Sequence, residues 1–189
     1  MKKLTLLLTL SLFCLVLFPC TGRAIGFEGF GAKAAFVIPD GPIDNAIGFG
    51  ALATFGSIFS RIPALHAEAG ADYWGKSYTN SAGNEVDFSS TAINGTAKYY
   101  FTSGGISPFA GAGTGVAFSK SSFAVEVPGF EEASDTSTKF GFHLCGGIDI
   151  PIGAGFKFTA EGRYTSYGGD VKGDGNTVQI IGAFVVKLK

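Results

Sequence analysis

The sequence predicts an all-β protein: an eight-stranded antiparallel up-and-down barrel that spans a membrane and follows a cleaved signal peptide. The clearest strand is the segment 156–164, where apolar residues alternate with the polar residues Lys157, Thr159, Glu161 and Arg163. A period of two is typical of a β-strand with chemically opposite faces. An apolar face with aromatic residues at its ends, opposite a charged face, indicates lipid outside and a polar barrel interior.

Composition is the second observation behind this prediction. The chain has 29 Gly and 19 Phe among its 189 residues. Small and large residues side by side suit a narrow barrel, because inward glycines make room for large side chains from across the lumen. After the predicted signal peptide, eleven basic and fifteen acidic residues remain, so nothing suggests a nucleic-acid partner. Cys145 is then the single cysteine, which excludes an intramolecular disulfide.

Residues 1–24 are predicted to form the signal peptide, which leaves residues 25–189 as one barrel domain. Lys2 and Lys3 provide the charged start, residues 4–18 the apolar region, and small residues precede the cut. An uncleaved anchor helix is an alternative, but the apolar run is short for a span of about 20 residues.

A lipoprotein signal ending at Cys20 is a further alternative for the same segment. Pro19 stands immediately before that cysteine, at a position where a small residue is expected. The lipoprotein interpretation therefore fits the sequence less well than ordinary cleavage after Ala24.

Eight segments carry the strand pattern. They lie at residues 27–38, 46–59, 64–75, 86–101, 108–119, 138–152, 156–164 and 177–188. The fifth has glycine at alternate positions, but it lacks the GxGxxG spacing of a nucleotide-binding loop. An even strand number is what an up-and-down barrel with both termini at one end requires.

The connections alternate in length, which is the third observation. A tight turn is predicted at 60–63, and longer polar loops at 76–85, 120–137 and 168–176. Outer-membrane barrels have short periplasmic turns and longer extracellular loops. The alternation therefore predicts that both termini are periplasmic and that the longer loops are extracellular.

Three loose motifs resemble the OmpA/OmpW-like outer-membrane β-barrel superfamily. They are residues 31–36 with Pro39, residues 107–113, and residues 141–149. The resemblance covers the whole predicted barrel and implies a porin-like, Gram-negative outer-membrane protein. It also implies outer-membrane lipids, lipopolysaccharide and the barrel-assembly machinery as partners. One departure is the end of the chain, where Leu188-Lys189 stands in place of the usual terminal aromatic residue.

The inward positions suggest a structural ion-pair network rather than a catalytic, cofactor or metal site. An eight-stranded barrel has an interior just wide enough to be filled by side chains, and buried charges there must pair. The expected members are Lys33, Glu68, Asp72, Lys98, Lys157, Glu161 and Arg163.

His66 and His143 are weak candidates for chemistry. Some barrels that resemble this one modify lipid A with a His, a Ser and an acid, and a nucleophile needs a base within hydrogen-bond reach. His143 has inward neighbours Gly141 and Cys145 and no serine in an HxS arrangement. Neither HxH nor HExxH occurs, so no metal site is predicted.

The predicted function is that of a monomeric, non-enzymatic outer-membrane barrel with a structural role or a role in interactions through its loops. A narrow pore for small solutes is the main alternative, and a lipid A-modifying enzyme is another. A soluble lipocalin-like barrel would need an apolar interior and a tryptophan in its first strand. The charged face of residues 156–164 and the position of Trp74 argue against it.

Overall fold

Eight antiparallel strands form one closed ring in chain order. The computed structural model describes residues 26–41, 43–79, 85–102, 104–123, 133–168 and 176–188, so the predicted signal peptide lies outside the described residues. The strands are β1 (Phe27–Pro39), β2 (Ala46–Phe59), β3 (Ile62–Thr79), β4 (Glu85–Tyr100), β5 (Ser107–Phe123), β6 (Ala133–Pro151), β7 (Phe156–Tyr167) and β8 (Asn176–Lys187).

The pairing of β1 with β8 closes the ring. Ala32 of β1 stands opposite Ala51 of β2 on one side and Phe184 of β8 on the other. Every strand therefore has two hydrogen-bonded neighbours, which leaves no sheet edge open to another chain. Among the described residues, no helix is long and apolar enough to cross a membrane.

The predicted fold class is confirmed, but four strands are longer than predicted. Residues 76–79 belong to β3 instead of a polar loop, and Ile62 and Pro63 begin β3 instead of ending a turn. Residues 120–123 and 133–137 belong to β5 and β6 instead of the long acidic loop, and residues 165–167 continue β7 beyond its predicted end. The extensions towards the longer connections are rich in Ser and Thr, so they lack the apolar alternation that marks a strand in sequence.

The two faces of the sheet have the polarity of a membrane barrel. Large apolar side chains point outward, with Ile47, Phe142 and Leu144 each more than 60% exposed. Charged side chains point inward, with Lys98 and Arg163 only 3% and 4% exposed. This distribution is the reverse of that in a soluble ligand-binding barrel, and it excludes the lipocalin alternative.

Inward glycines create the space that these charged side chains occupy, as the composition predicts. A Cβ at Gly70 would lie 2.8 Å from the Lys33 ammonium, and a Cβ at Gly50 would lie 2.8 Å from Lys33 Cε. A Cβ at Gly113 would overlap the His143 ring. Outward Gly95, by contrast, has open space around it.

Candidate functional site

The centre of the barrel holds a group of buried ion pairs built around Glu161 of β7. Lys98 of β4 reaches across the lumen and places its Nζ 2.7 Å from Glu161 Oε2 and 2.8 Å from Glu68 Oε2 of β3. Arg163 lies two residues further along β7, and its Nη2 and Nε are 2.7 and 2.9 Å from Glu161 Oε1. A single carboxylate thereby bridges two cations from opposite walls.

Arg163 and Lys33 extend the group towards β1 and β3. Arg163 Nη1 is 3.9 Å from Asp72 Oδ2, and its Nη2 is 3.8 Å from Glu68 Oε1. Lys33 Nζ is 2.7 Å from Asp72 Oδ1, a distance typical of an ion pair, but the two groups are not oriented for a hydrogen bond. We call the resulting set the central ion cluster. Its members are Lys33, Glu68, Asp72, Lys98, Glu161 and Arg163.

The central ion cluster is balanced in charge and shielded from solvent. It has three cations and three carboxylates, each in a residue that is buried. Asn94 donates a hydrogen bond to Asp72, and the Lys98 ammonium lies 4.5 Å from the centre of the Phe109 ring. Paired groups of this kind avoid the cost of several kcal/mol that an isolated buried charge carries.

Lys157 lies apart from the other six residues that the sequence groups with it. Its Nζ is 2.6 Å from Asp149 Oδ2 on β6, and Asp149 also accepts hydrogen bonds from Tyr100 and Thr159 at 2.8 and 2.7 Å. Asp149 stands directly opposite Thr159, which is two residues from Lys157 on the same face of β7. The Asp149 carboxylate is therefore within reach of the Lys157 ammonium. Alternation also places Asp149 inward on β6, but the predicted network omits it, because alternation along one strand does not show which charges on other strands lie nearby.

A cavity opens at the end of the barrel that carries both termini, which we call the termini end. It has a volume of about 520 Å³, and its lining includes Glu28, His66, Tyr100, Asp149 and Lys157. Asp149 and Lys157 both line it, and Lys157 precedes Glu161 and Arg163 along β7, so this pair lies between the cavity and the central ion cluster. We call this space the mouth.

A buried apolar group lies towards the opposite end of the barrel, which we call the loop end. Trp74 of β3 and Phe88 of β4 pack with ring centroids 5.0 Å apart. We call this group the apolar cap. Its buried members are Ala35, Val37, Ile43, Ala46, Trp74, Phe88 and Ile181. Sequence reasoning missed the cap, although Val37, Trp74 and Phe88 stand at inward positions near the strand ends.

The two histidines occupy separate places. His143 is buried, and its Nε2 is 2.9 Å from the Thr96 hydroxyl. His66 lines the mouth, with Nδ1 3.4 Å from Glu28 Oε2 and Nε2 3.1 Å from the Pro63 carbonyl oxygen. The His143–Thr96 contact joins a base to a hydroxyl, but both residues are buried and no acid pairs with His143 among the described residues.

No cofactor or metal arrangement is evident in the described part of the chain. No three His, Cys, Asp or Glu residues there are grouped so that they could hold a metal ion. Cys145 is a free, buried thiol on β6, opposite Gly111 of β5 and Arg163 of β7.

A closed ring with buried charges inside and exposed aromatic residues outside defines a membrane-spanning β-barrel. The model of the outer membrane protein beta-barrel domain family matches residues 22–183. The chain belongs to this family and is therefore an outer-membrane barrel of the Gram-negative, OmpA-like type. This confirms the resemblance and the location in the outer membrane that the sequence predicts.

Solved structures agree on the fold. Neisserial surface protein A is 18% identical with a TM-score of 0.61, over 85% of this chain and 97% of that chain. Ail of Yersinia pestis, in complex with a heparin analogue, is 13% identical with a TM-score of 0.57, over 86% and 97%. A major outer membrane protein of Thermus thermophilus is 8% identical with a TM-score of 0.62, over 85% and 99%. No curated protein matches the sequence.

Proposed function

We propose that this chain is a monomeric, non-enzymatic outer-membrane barrel with a closed lumen, which acts structurally or through the surface it presents outside the cell. The observation that carries the proposal is the filling of the lumen. The central ion cluster occupies its middle, and the apolar cap occupies the side towards the loop end. A lumen filled in this way supports a scaffold better than a channel.

The proposed orientation places the termini end in the periplasm. The connections at that end are 60–61, 101–106 and 152–155, whereas those at the loop end are 40–45, 80–84, 124–132 and 168–175. They are longer on average at the loop end, as on the extracellular side of outer-membrane barrels. The long strands β3 to β6 then form a wall that projects from the cell surface.

Outer-membrane lipids, lipopolysaccharide and the barrel-assembly machinery are the proposed partners. Outward aromatic residues such as Phe30, Phe156 and Phe184 suit one lipid boundary, and Phe49, Tyr73 and Phe142 the other. The closed ring gives no strand edge through which a second copy could pair, which supports a monomer.

A narrow pore is the second candidate, and the mouth is the observation that favours it. Its volume of about 520 Å³ gives water and small solutes access to the inner wall as far as Asp149 and Lys157. Conduction beyond that point requires the central ion cluster and the apolar cap to separate.

Labelling of intact cells tests the orientation. The labelling uses a Cys145→Ser background. We expect Ser134→Cys, near the loop end of β6, to react with a membrane-impermeant maleimide on whole cells. Thr102→Cys, in the β4–β5 turn, should react only after the cells are broken. The opposite pattern would place the termini outside and contradict the proposal.

Lipid A analysis tests the non-enzymatic assignment. Mass spectrometry of lipid A from cells that express the wild type and from cells that express His143→Ala should give the same acylation pattern. A change in acyl chains that depends on the wild-type protein and disappears in His143→Ala would establish an enzyme instead.

A further inference from the structure

A groove crosses the outer surface of β2 to β5 where the apolar band ends. It has a volume of about 690 Å³. Its apolar side is formed by Ile47, Phe49 and Tyr73, which are 64%, 63% and 54% exposed. Such residues stand in the lipid layer near its boundary. The opposite side of the groove is polar and lies closer to the loop end.

The polar side consists of two adjacent rows of direct cross-strand partners. In the first row, Ser89 of β4 stands between Gly75 of β3 and Lys120 of β5. In the second, Asp87 stands between Ser77 and Ser122. Side chains at directly opposite positions share one face of a sheet, so these groups converge on one small area.

Gly75 provides the depth of the groove. A Cβ at this position would lie 3.5 Å from the Tyr73 hydroxyl and 3.1 Å from the Phe88 carbonyl oxygen. The tyrosine side chain therefore lies along the groove, with its ring on the apolar side and its hydroxyl towards the polar rows. Tyrosine commonly occupies the boundary between lipid and water in this way.

The donors and acceptors in the groove match a sugar better than a phosphate. Serine hydroxyls, a carboxylate and an ammonium offer both donors and acceptors to sugar hydroxyls. Ser77 donates to one oxygen of Asp87, and Lys120 has no ion-pair partner among the described residues. Lys76 also lines the groove, but it stands directly opposite the inward residue Phe88 and so belongs to the other face of the sheet. A phosphate would meet the negative charge of Asp87, and the groove contains no arginine for the bidentate contact that phosphates favour.

We propose that this groove binds the saccharide headgroup of a membrane glycolipid, with an acyl chain lying along Ile47 and Phe49. The volume lies within the range of about 300–1,000 Å³ that is usual for small-ligand sites. The proposal depends only on the chain spanning a membrane, so it stands or falls independently of lumen closure and of the absence of catalysis.

The test uses the full barrel in phosphatidylcholine nanodiscs with an increasing mole fraction of monogalactosyl diacylglycerol, a neutral glycolipid. Backbone amide shifts are recorded by NMR. We expect saturable shifts at Gly75, Ser89 and Lys120, and none of that size at Ile180 and Gly182 on the other side of the barrel. Shifts that rise linearly and equally around the barrel would overturn the proposal, because they would report only the changed bilayer.

Two variants and a second lipid complete the design. Ser89→Phe fills the groove and removes one hydroxyl, so it should weaken the apparent affinity by about tenfold or more, as expected for the loss of one or two hydrogen bonds. Ser166→Phe, an outward position on β7, should leave the affinity unchanged. An equal loss in both variants would contradict the proposal. Saturation by phosphatidic acid without a response to the galactolipid would replace the sugar with a phosphate and also overturn it.

Discussion

The two faces of β7 follow different rules. The outward face carries Phe156, Phe158, Ala160, Gly162 and Tyr164, which contact lipid and need only be apolar. The inward face carries Thr159, Glu161 and Arg163, each bonded to particular atoms on β7 itself, on neighbouring β6 or, across the lumen, on β4. The outer face therefore depends on residue class, whereas the inner face depends on residue identity. Substitutions on the two faces should differ in cause and in size.

The largest expected effect is the loss of one charge from the central ion cluster. Arg163→Ala leaves Glu161, Glu68 and Asp72 with only two cations between them. Removing one partner of a buried ion pair lowers the free energy of unfolding by about 3–5 kcal/mol, because the remaining charge is uncompensated. Urea unfolding of the protein in lipid vesicles should show a loss of this size.

The double variant Arg163→Ala/Glu161→Ala sharpens the same point. It removes one charge of each sign, so the cluster remains balanced. We expect it to be more stable than Arg163→Ala alone, because no charge is left unpaired. If the double variant lost the sum of the two single effects, the two residues would contribute independently, and the interpretation of the cluster would be wrong.

A charge on the outer face should have the next largest effect. Ala160→Arg puts a guanidinium into lipid near the middle of β7 and should destabilise the barrel by about 2–4 kcal/mol. Ser166→Arg, near the loop end of the same strand, should cost about 0–1 kcal/mol, because the penalty falls near the interface. The vesicle unfolding assay compares the two, and equal costs would mean that the lipid-facing band is misplaced.

Glycines on the two faces provide the smallest but closest comparison. A Cβ at inward Gly113 would overlap the Gly95 carbonyl oxygen and the His143 ring, whereas a Cβ at outward Gly95 has nothing within 4 Å. Gly113→Ala should therefore cost about 1–3 kcal/mol through overpacking. Gly95→Ala should stay within about 0.5 kcal/mol of the wild type. The thermal midpoint of the heat-dependent shift on gels would separate them, and similar midpoints would contradict the assignment of faces.

Sequence reasoning predicts the ring and its faces because alternation records which side of a strand meets lipid. The strand ends at 76–79, 120–123 and 133–137 escaped prediction for a physical reason. Beyond the apolar band both faces meet water, so no alternation is required there. These extensions also carry Ser77, Lys120 and Ser122 on the polar side of the groove, so strand alternation did not point to the groove.

The sequence predicts which residues point into the barrel, but it does not predict which of them pair with each other. Alternation identifies Lys157 as an inward cation, but only the cross-strand register shows that Asp149 is the acid it meets. The apolar cap was harder still, because Ile43 comes from the β1–β2 connection, where no strand pattern applies. Pairing and loop placement depend on the closed ring, which local sequence does not encode.

Planar-bilayer recording of the unmodified protein tests the central claim most directly. The claim is that the central ion cluster and the apolar cap together close the lumen. The protein content of the bilayer is measured to verify that the barrel has inserted. We then expect no stable open-channel current at either polarity of the applied voltage. A large and stable conductance from the wild-type protein would contradict the claim and establish the pore.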